Sequence, residues 1–193
     1  METITRVYDT YAHAASVVGE LEKMAIASSD ISLVANKHVS EKYANVDDAT
    51  AAATGAGVGA VTGGGIGLLT GLGLMAIPGL GPVVAAGWLA TTVLGAAAGA
   101  ATGGLIGALV GHGVSEDDAH VFAESVRRGG TMVTARVAEN QAASVKAVMD
   151  RYQPVNAAAR RSEYVKEGWS RFDPNAAPYT PNQTELERMR RSN

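Results

Sequence analysis

Over the first 36 residues, the spacing of apolar side chains is typical of a strand, then of a helix, and then of a second strand. Residues 3–8 predict a strand, and Asp9 or Thr10 can cap a helix that follows it. Over residues 31–36, Ile31, Leu33 and Ala35 alternate with Ser32, Val34 and Asn36, which predicts a second strand. Between them, over residues 11–27, the apolar side chains recur at helical spacing: Ala14, Val17, Val18, Leu21 and Met24.

A similar pattern returns in the second half of the chain. Ser115, followed three residues later by Asp118, predicts the N-cap of a further helix. Residues 131–138 then alternate as a strand, and residues 139–152 show helical spacing. Residues 154–159 predict a last, short strand.

The centre of the chain is uncharged and rich in glycine. Residues 49–115 contain no charged side chain and hold nineteen of the 23 glycines. Glycine costs about 1 kcal/mol relative to alanine in a helix interior, but a spacing of four places glycines on one helical stripe, where two helices can approach closely. We therefore predict two long helices joined by a tight turn at residues 77–82. The glycines expected to pack helices and drive assembly are Gly55, Gly59, Gly63, Gly67, Gly71, Gly95, Gly99, Gly103, Gly107 and Gly111.

Without the central segment, the predicted order is that of a ferredoxin-like βαββαβ fold. The predicted fold class is therefore α+β, with a ferredoxin-like core formed by residues 1–36 and 129–159. A long glycine-zipper α-helical hairpin, residues 49–114, is inserted between strands 2 and 3, and a helix at 115–128 joins it to the core. Both core helices should lie on one face of an antiparallel sheet. We expect dimerisation or extra elements to bury the other face.

Residues 160–193 differ in composition, because prolines and aromatic residues follow each other along them. They predict an irregular C-terminal arm, with a short helix at residues 185–191. Trp169, Phe172 and Tyr179 are its candidate contact residues. Two alternatives remain open: the arm packs on its own domain, or it clasps a neighbouring subunit.

Three segments of the chain carry a resemblance to a known family. They are the opening strand and helix that end in Asp30-Ile31-Ser32-Leu33-Val34, the glycine-zipper insert, and the run from Val114-Ser115-Glu116-Asp117-Asp118-Ala119 to Arg127-Arg128-Gly129-Gly130-Thr131-Met132-Val133-Thr134. Over residues 3–159 the sequence resembles a bacterial family of small general-stress, heat-induced proteins of unknown biochemical role. The resemblance implies a ferredoxin-like core with a helical-hairpin insertion and a stress context. It supplies no catalytic residues.

Composition narrows the candidate chemistry. The net charge is −3 and no basic stripe is interleaved with aromatic residues, so we expect no nucleic-acid partner. There is no cysteine, which excludes disulfides and thiolate metal sites. The glycine clusters at 63–67 and 103–107 lack the Lys-Ser or Lys-Thr of a phosphate-binding loop. The amino terminus lacks the pattern of a signal peptide, so we expect a cytoplasmic protein.

Histidines offer only weak catalytic or metal-binding candidates. His112 and His120 flank the acidic residues 116–118, but helix capping explains those acids without a metal. Asp9 and His13 lie four residues apart at a helix start, where a cap or a solvated face is the commoner arrangement. We therefore predict no enzymatic activity, no cofactor and no metal site.

Large apolar side chains concentrate at the tip of the predicted hairpin. Each predicted arm is long enough to span a bilayer. Acidic flanks, the lack of nearby Lys or Arg and a single aromatic residue argue against insertion. An apolar patch of this size still needs a partner. The tip residues are Leu72, Leu74, Met75, Ile77, Leu80 and Trp88.

These features predict a non-enzymatic, stress-associated protein that assembles with itself through the apolar hairpin. A ring is one arrangement of such a homo-oligomer, and its apolar interior could enclose lipid or another apolar molecule. The alternative is a stress protein that the hairpin anchors in the inner membrane.

Overall fold

A computed structural model of the 193-residue chain describes residues 1–36, 73–77, 79–97, 104–176 and 179. Within them the protein is α+β, with five strands, six helices and a short 3-10 turn at Ser28–Asp30. The strands are β1 (Glu2–Tyr8), β2 (Ile31–Asn36), β3 (Gly73–Ile77), β4 (Gly81–Ala86) and β5 (Thr131–Val137). The helices are α1 (Tyr11–Lys23), α2 (Trp88–Ala97), α3 (Gly104–Val110), α4 (Glu116–Arg127), α5 (Glu139–Asp150) and α6 (Ala157–Lys166).

The strands form one sheet in the order β1-β5-β2-β4-β3. Every neighbouring pair is antiparallel. β5 therefore lies at the centre of the first three strands, opposite Glu2–Tyr8 on one side and the start of β2 on the other. Residues 73–86 extend the sheet beyond β2.

The tight turn was predicted in the right place but between the wrong elements. Residues 73–86 are not helical; β3 and β4 pair from Gly73 opposite Ala85 to Ile77 opposite Gly81. The Leu80 N–H donates to the Ile77 carbonyl at 3.0 Å, and Gly79 has φ +78°. A positive φ at the third residue defines a type II turn, which glycine adopts without steric penalty. The physical reason for the difference is that these strands add backbone pairs to the open edge of β2.

One face of the sheet is covered by the two helices expected there. α1 and α5 pack over β1, β5 and β2 and bury a core that includes Val17, Leu21, Val133 and Val145. The fully buried Tyr8 hydroxyl donates to the Met149 carbonyl at 3.0 Å, which ties β1 to the end of α5. Burial of that phenol raises its pKa well above the usual range.

The second face is covered by elements of the same chain. α2, α3 and α4 lie over it, and together with Phe172 they bury a second apolar core. Leu80, Leu89, Leu109 and Met132 are among its fully buried members. Extra elements, one of the two expected solutions, thus bury this face within the described residues.

Local capping signals placed several helix ends correctly. The Ser115 hydroxyl accepts from the Asp118 N–H at 3.1 Å and begins α4. Thr10, the second of the two predicted candidates, caps α1 by accepting from the His13 N–H. Gly130 ends the turn after α4, where an added Cβ would lie 2.9 Å from the Ser125 carbonyl oxygen.

The predicted last strand, residues 154–159, is wrong. The Val155 N–H donates to the Val7 carbonyl at 2.7 Å, but no ladder follows in the described structure. Asn156 instead caps α6, since its side chain accepts from the Ala159 N–H at 2.9 Å. The cap and the alanine-rich start that follows it favour helix over strand, and the first part of the arm predicted as irregular is therefore helical.

Candidate functional site

The glycine repeats that predicted assembly are only partly within the described structure. Gly95 lies in α2, Gly107 in α3, and Gly111 just after α3. A Cβ added at Gly111 would meet only the carbonyl oxygens of residues 107 and 108, at 3.1 and 3.9 Å, which belong to the preceding turn. Among the described residues, Gly111 is therefore not at a close contact between helices. The repeat members outside the described residues are Gly55, Gly59, Gly63, Gly67, Gly71, Gly99 and Gly103.

The predicted apolar tip is not exposed at the three tip residues whose burial the structure describes. Ile77, Leu80 and Trp88 are 3%, 1% and 8% exposed, and all three belong to the second core. They are buried because β3 and β4 join the sheet under α2 and α3. Leu74 and Met75 lie in β3, and Leu72 lies outside the described residues.

The two edges of the sheet are built differently. On the β1 edge, the Arg6 guanidinium donates to the Thr5 carbonyl at 3.0 Å and the Val155 N–H donates to the Val7 carbonyl. Ion pairs between Arg6 and Asp150 at 2.7 Å, and between Lys146 and Glu2, surround the same edge. Charges and occupied carbonyls of this kind discourage pairing with a further strand.

The β3 edge has none of these features among the described residues. Its sequence, Gly-Leu-Met-Ala-Ile, is uncharged, and no described strand lies beyond it. Ala76 is exposed. Sequence reasoning missed this edge because it assigned the segment to helix. The available signal was the Pro-Gly pair at 78–79 between short apolar runs, which is a hairpin signature as well as a helix breaker.

The C-terminal arm packs on its own domain over its described part. Phe172 is 4% exposed within the second core. Trp169 packs edge-to-face on Tyr164 at 5.6 Å between ring centroids. Tyr179 lies 5.3 Å from Arg127 and 5.4 Å from Arg128, in cation–π range of both. Over the described part of the arm, packing on its own domain is the arrangement observed, and the predicted short helix at residues 185–191 lies outside the described residues.

A buried carboxylate organises the ions beneath the arm. Glu124 is 1% exposed and accepts from Arg127 at 2.9 and 2.6 Å and from Arg128 at 2.6 Å. Burial alone would raise its pKa, but these hydrogen bonds hold the pKa of Glu124 below the usual range. Arg128 also pairs with Glu167 and lies 4.2 Å from the Tyr164 ring. The cluster is balanced in charge and structural in character.

A polar cleft of about 600 Å³ lies between the start of α4 and the arm. In it, Arg171 donates to His120 Nε2 at 2.9 Å and lies 3.3 Å from a Glu116 oxygen. A guanidinium can only donate, so Nε2 must accept and His120 must be neutral with its proton on Nδ1. The cleft is lined by Ser115, Glu116, Asp117, His120, Arg161, Trp169, Ser170 and Arg171.

The charges of this cleft cancel within the protein. Arg161 pairs with Asp117 at 2.8 Å, and Arg171 with Glu116. Burial and the neighbouring Arg171 lower the pKa of His120, while Glu116 opposes the shift. His120 Nδ1 and Trp169 Nε1 are buried donors with no hydrogen-bond partner in the described structure. Their burial keeps them out of direct reach of a ligand in the cleft.

The remaining histidine candidates have structural partners. His112 Nδ1 lies 2.7 Å from the Ala108 carbonyl, and its ring packs on Trp88 at 4.5 Å between centroids. Asp9 pairs with Arg160 at 2.8 Å rather than with His13. Within the described ranges, no group of three or more His, Cys, Asp or Glu side chains is arranged to hold a metal ion.

Comparison with known proteins adds no relative. No protein-family model, no curated protein and no solved structure matches the chain. Over the part of the chain that the structure describes, none of the helices has the length and apolarity needed to cross a bilayer. The fold and site thus define an α+β protein. Its β1 edge carries ion pairs and hydrogen-bonded carbonyls, whereas its β3 edge, among the described residues, is uncharged and has no strand beyond it.

Proposed function

We propose that the chain is a non-enzymatic, stress-associated protein that assembles into a homo-oligomer through its uncharged glycine-rich region. The observation that carries the proposal is where that region goes. Residues 49–115 carry no charge, and their described part forms β3 and β4 at one edge of the sheet and α2 and α3 on its second face. The outer strand β3 is thus uncharged, while ion pairs surround the opposite edge of the sheet.

The folded domain uses much of the described part of this apolar sequence in its second core. Trp88, Leu89 and Val93 enter the second core. In the sequence, the first glycine repeat ends two residues before β3, and members of the second repeat lie in α2 and α3. Smooth glycine stripes suit close helix packing between copies, and a ring enclosing lipid or another apolar molecule is one such assembly.

The core itself is best described as a variant of the ferredoxin-like pattern. The strand order β1-β5-β2 and the placement of α1 and α5 on one face agree with that arrangement. In the chain order, α6 stands where the fourth strand of that pattern would be. The β3-β4 hairpin extends the sheet at the edge opposite β1. The stress context rests on the sequence resemblance alone.

The test measures mass and location together. Full-length protein is expressed, extracted without detergent, and examined by size-exclusion chromatography with light scattering. We expect a monodisperse multiple of 19.8 kDa. A monomer at every concentration would overturn assembly. Recovery only with membranes would instead favour the alternative, a stress protein anchored in the inner membrane by residues 49–114.

A further inference from the structure

We propose that the outer edge of β3 is an interface, and that it pairs antiparallel with β3 of a second copy of this chain. The proposal names the contact surface of the assembly proposed above and therefore rests on it. The pairing would join two five-stranded sheets across a two-fold axis, which is the commonest symmetry of soluble oligomers.

The pairing pattern shows which backbone groups point outward. Ala76 lies opposite Pro82, and proline has no N–H to donate. The 76–82 pair is therefore of the non-hydrogen-bonded kind, in which backbone groups point away from the partner strand. The N–H and C=O of Ala76 then point away from β4, and by alternation so do those of Leu74. Both residues present donor and acceptor along the open edge.

These outward groups are self-complementary. When two copies of β3 run antiparallel about Met75, Leu74 of one copy faces Ala76 of the other, and each pair exchanges two backbone hydrogen bonds. Pro78, which follows the strand in the sequence, has no N–H and limits further pairing. A backbone edge that matches its own copy needs no other partner chemistry.

The contrast with the β1 edge supports a second copy as the occupant. Proteins that stay apart protect exposed edges with charges, proline or covering chain. This protein does so at β1, through Arg6 and Val155. At β3 the described strand is uncharged, and Ala76 is exposed. Among the described residues, protection of this kind is therefore found at the β1 edge and not at the β3 edge, as an interface at β3 requires.

The decisive variant is Ala76→Pro, with Ala76→Val as its matched control. Proline removes the outward N–H without touching a bond to β4, whereas valine keeps the N–H and favours strand. We expect Ala76→Pro to raise the dissociation constant of the wild-type assembly by at least about 30-fold, from the loss of one hydrogen bond in each copy. Ala76→Val should leave it unchanged. Both are measured on the full chain by light scattering across a dilution series.

Ala76→Lys covers the case in which the proline variant fails to fold. It keeps the backbone N–H and places a charge on the edge, and it should weaken assembly while the unfolding transition stays cooperative. If the folded variants keep the wild-type mass at every dilution, the edge is not the interface, although the oligomer proposed above stands. If the wild-type chain is itself a monomer, both proposals fail.

Discussion

Gly79 is the residue at which the β-hairpin and the C-terminal arm meet. Its φ of +78° suits glycine, and a Cβ added there would lie 2.6 Å from the Pro174 Cα and 2.7 Å from the Asp173 carbonyl oxygen. The Phe172 ring lies equally close. A side chain at this position therefore meets both backbone strain and a steric clash with backbone atoms that cannot rotate away.

We expect Gly79→Ala to lower the free energy of unfolding by about 2–4 kcal/mol, measured by denaturant unfolding. Gly113→Ala is the matched control, since Gly113 has φ +91° but no heavy atom within 4 Å of an added Cβ. It should lose only the conformational share, about 1 kcal/mol. Equal losses in the two variants would show that contact with the arm adds nothing.

At this scale the sequence was informative where a side chain acts locally. Ser115 could be predicted as a cap because its bond to Asp118 spans three residues. Gly79 could not be recognised as a contact point, since the residues that approach it lie more than 90 positions away. For Glu124 the pairing with Arg127 and Arg128 spans only three and four residues, but its near-complete burial is a property of the folded molecule and could not be recognised from spacing.

At the scale of elements, the first two strands, the helix between them, β5 and α5 were predictable from periodicity alone. β3 and β4 were not. They are uninterrupted apolar runs of five and six residues, and such runs do not distinguish a buried strand from a piece of helix. The open edge of β2 decides between them, and that edge exists only in the folded sheet. α6 differs, because its start is set by a local signal in the sequence, the Asn156 cap.

His120 joins the arm to α4, and we expect this attachment to depend on the protonation of its ring. Its Nε2 accepts from Arg171, so protonation would remove the acceptor and bring two cations together. The pKa of His120 is lowered in the folded state. The unfolded chain therefore binds this proton more readily, and the associated stability is present above the unfolded pKa, about 6.5, and lost as the pH falls through the folded pKa.

We expect wild-type protein to lose more stability than His120→Gln between pH 7.5 and 5.5 in urea unfolding. Glutamine retains an acceptor but does not titrate, and the other histidines are common to both proteins, so their effects cancel. Over this range the indole N–H resonance of Trp169 should shift more in wild type than in His120→Gln. An identical pH dependence in the two proteins would contradict the role of His120.

At the scale of the whole molecule, the described part of the uncharged region completes the domain. β3 and β4 widen the sheet, and α2 and α3, together with α4, cover its second face. The sequence predicted that this face needs covering but assigned the covering elements to a separate hairpin. Among the described residues, the outer edge of β3 is uncharged and has no strand beyond it, and this edge is the feature that a second copy can bury.

The glycine repeats give the last prediction, which depends on side-chain size. Gly63→Leu or Gly99→Leu should lower the oligomeric mass, because a large side chain on a smooth stripe separates packed helices. Gly63→Ala and Gly99→Ala are the matched controls, since alanine keeps the stripe small and favours helix. All four variants should retain a cooperative unfolding transition, because the buried members of the first core lie between residues 4 and 35, at 84 and 86, and between 133 and 149, away from both substituted positions in the sequence. Light scattering without detergent measures the mass. An unchanged mass in both leucine variants would show that close glycine packing does not hold the copies together, and would leave the β3 edge as the contact to examine.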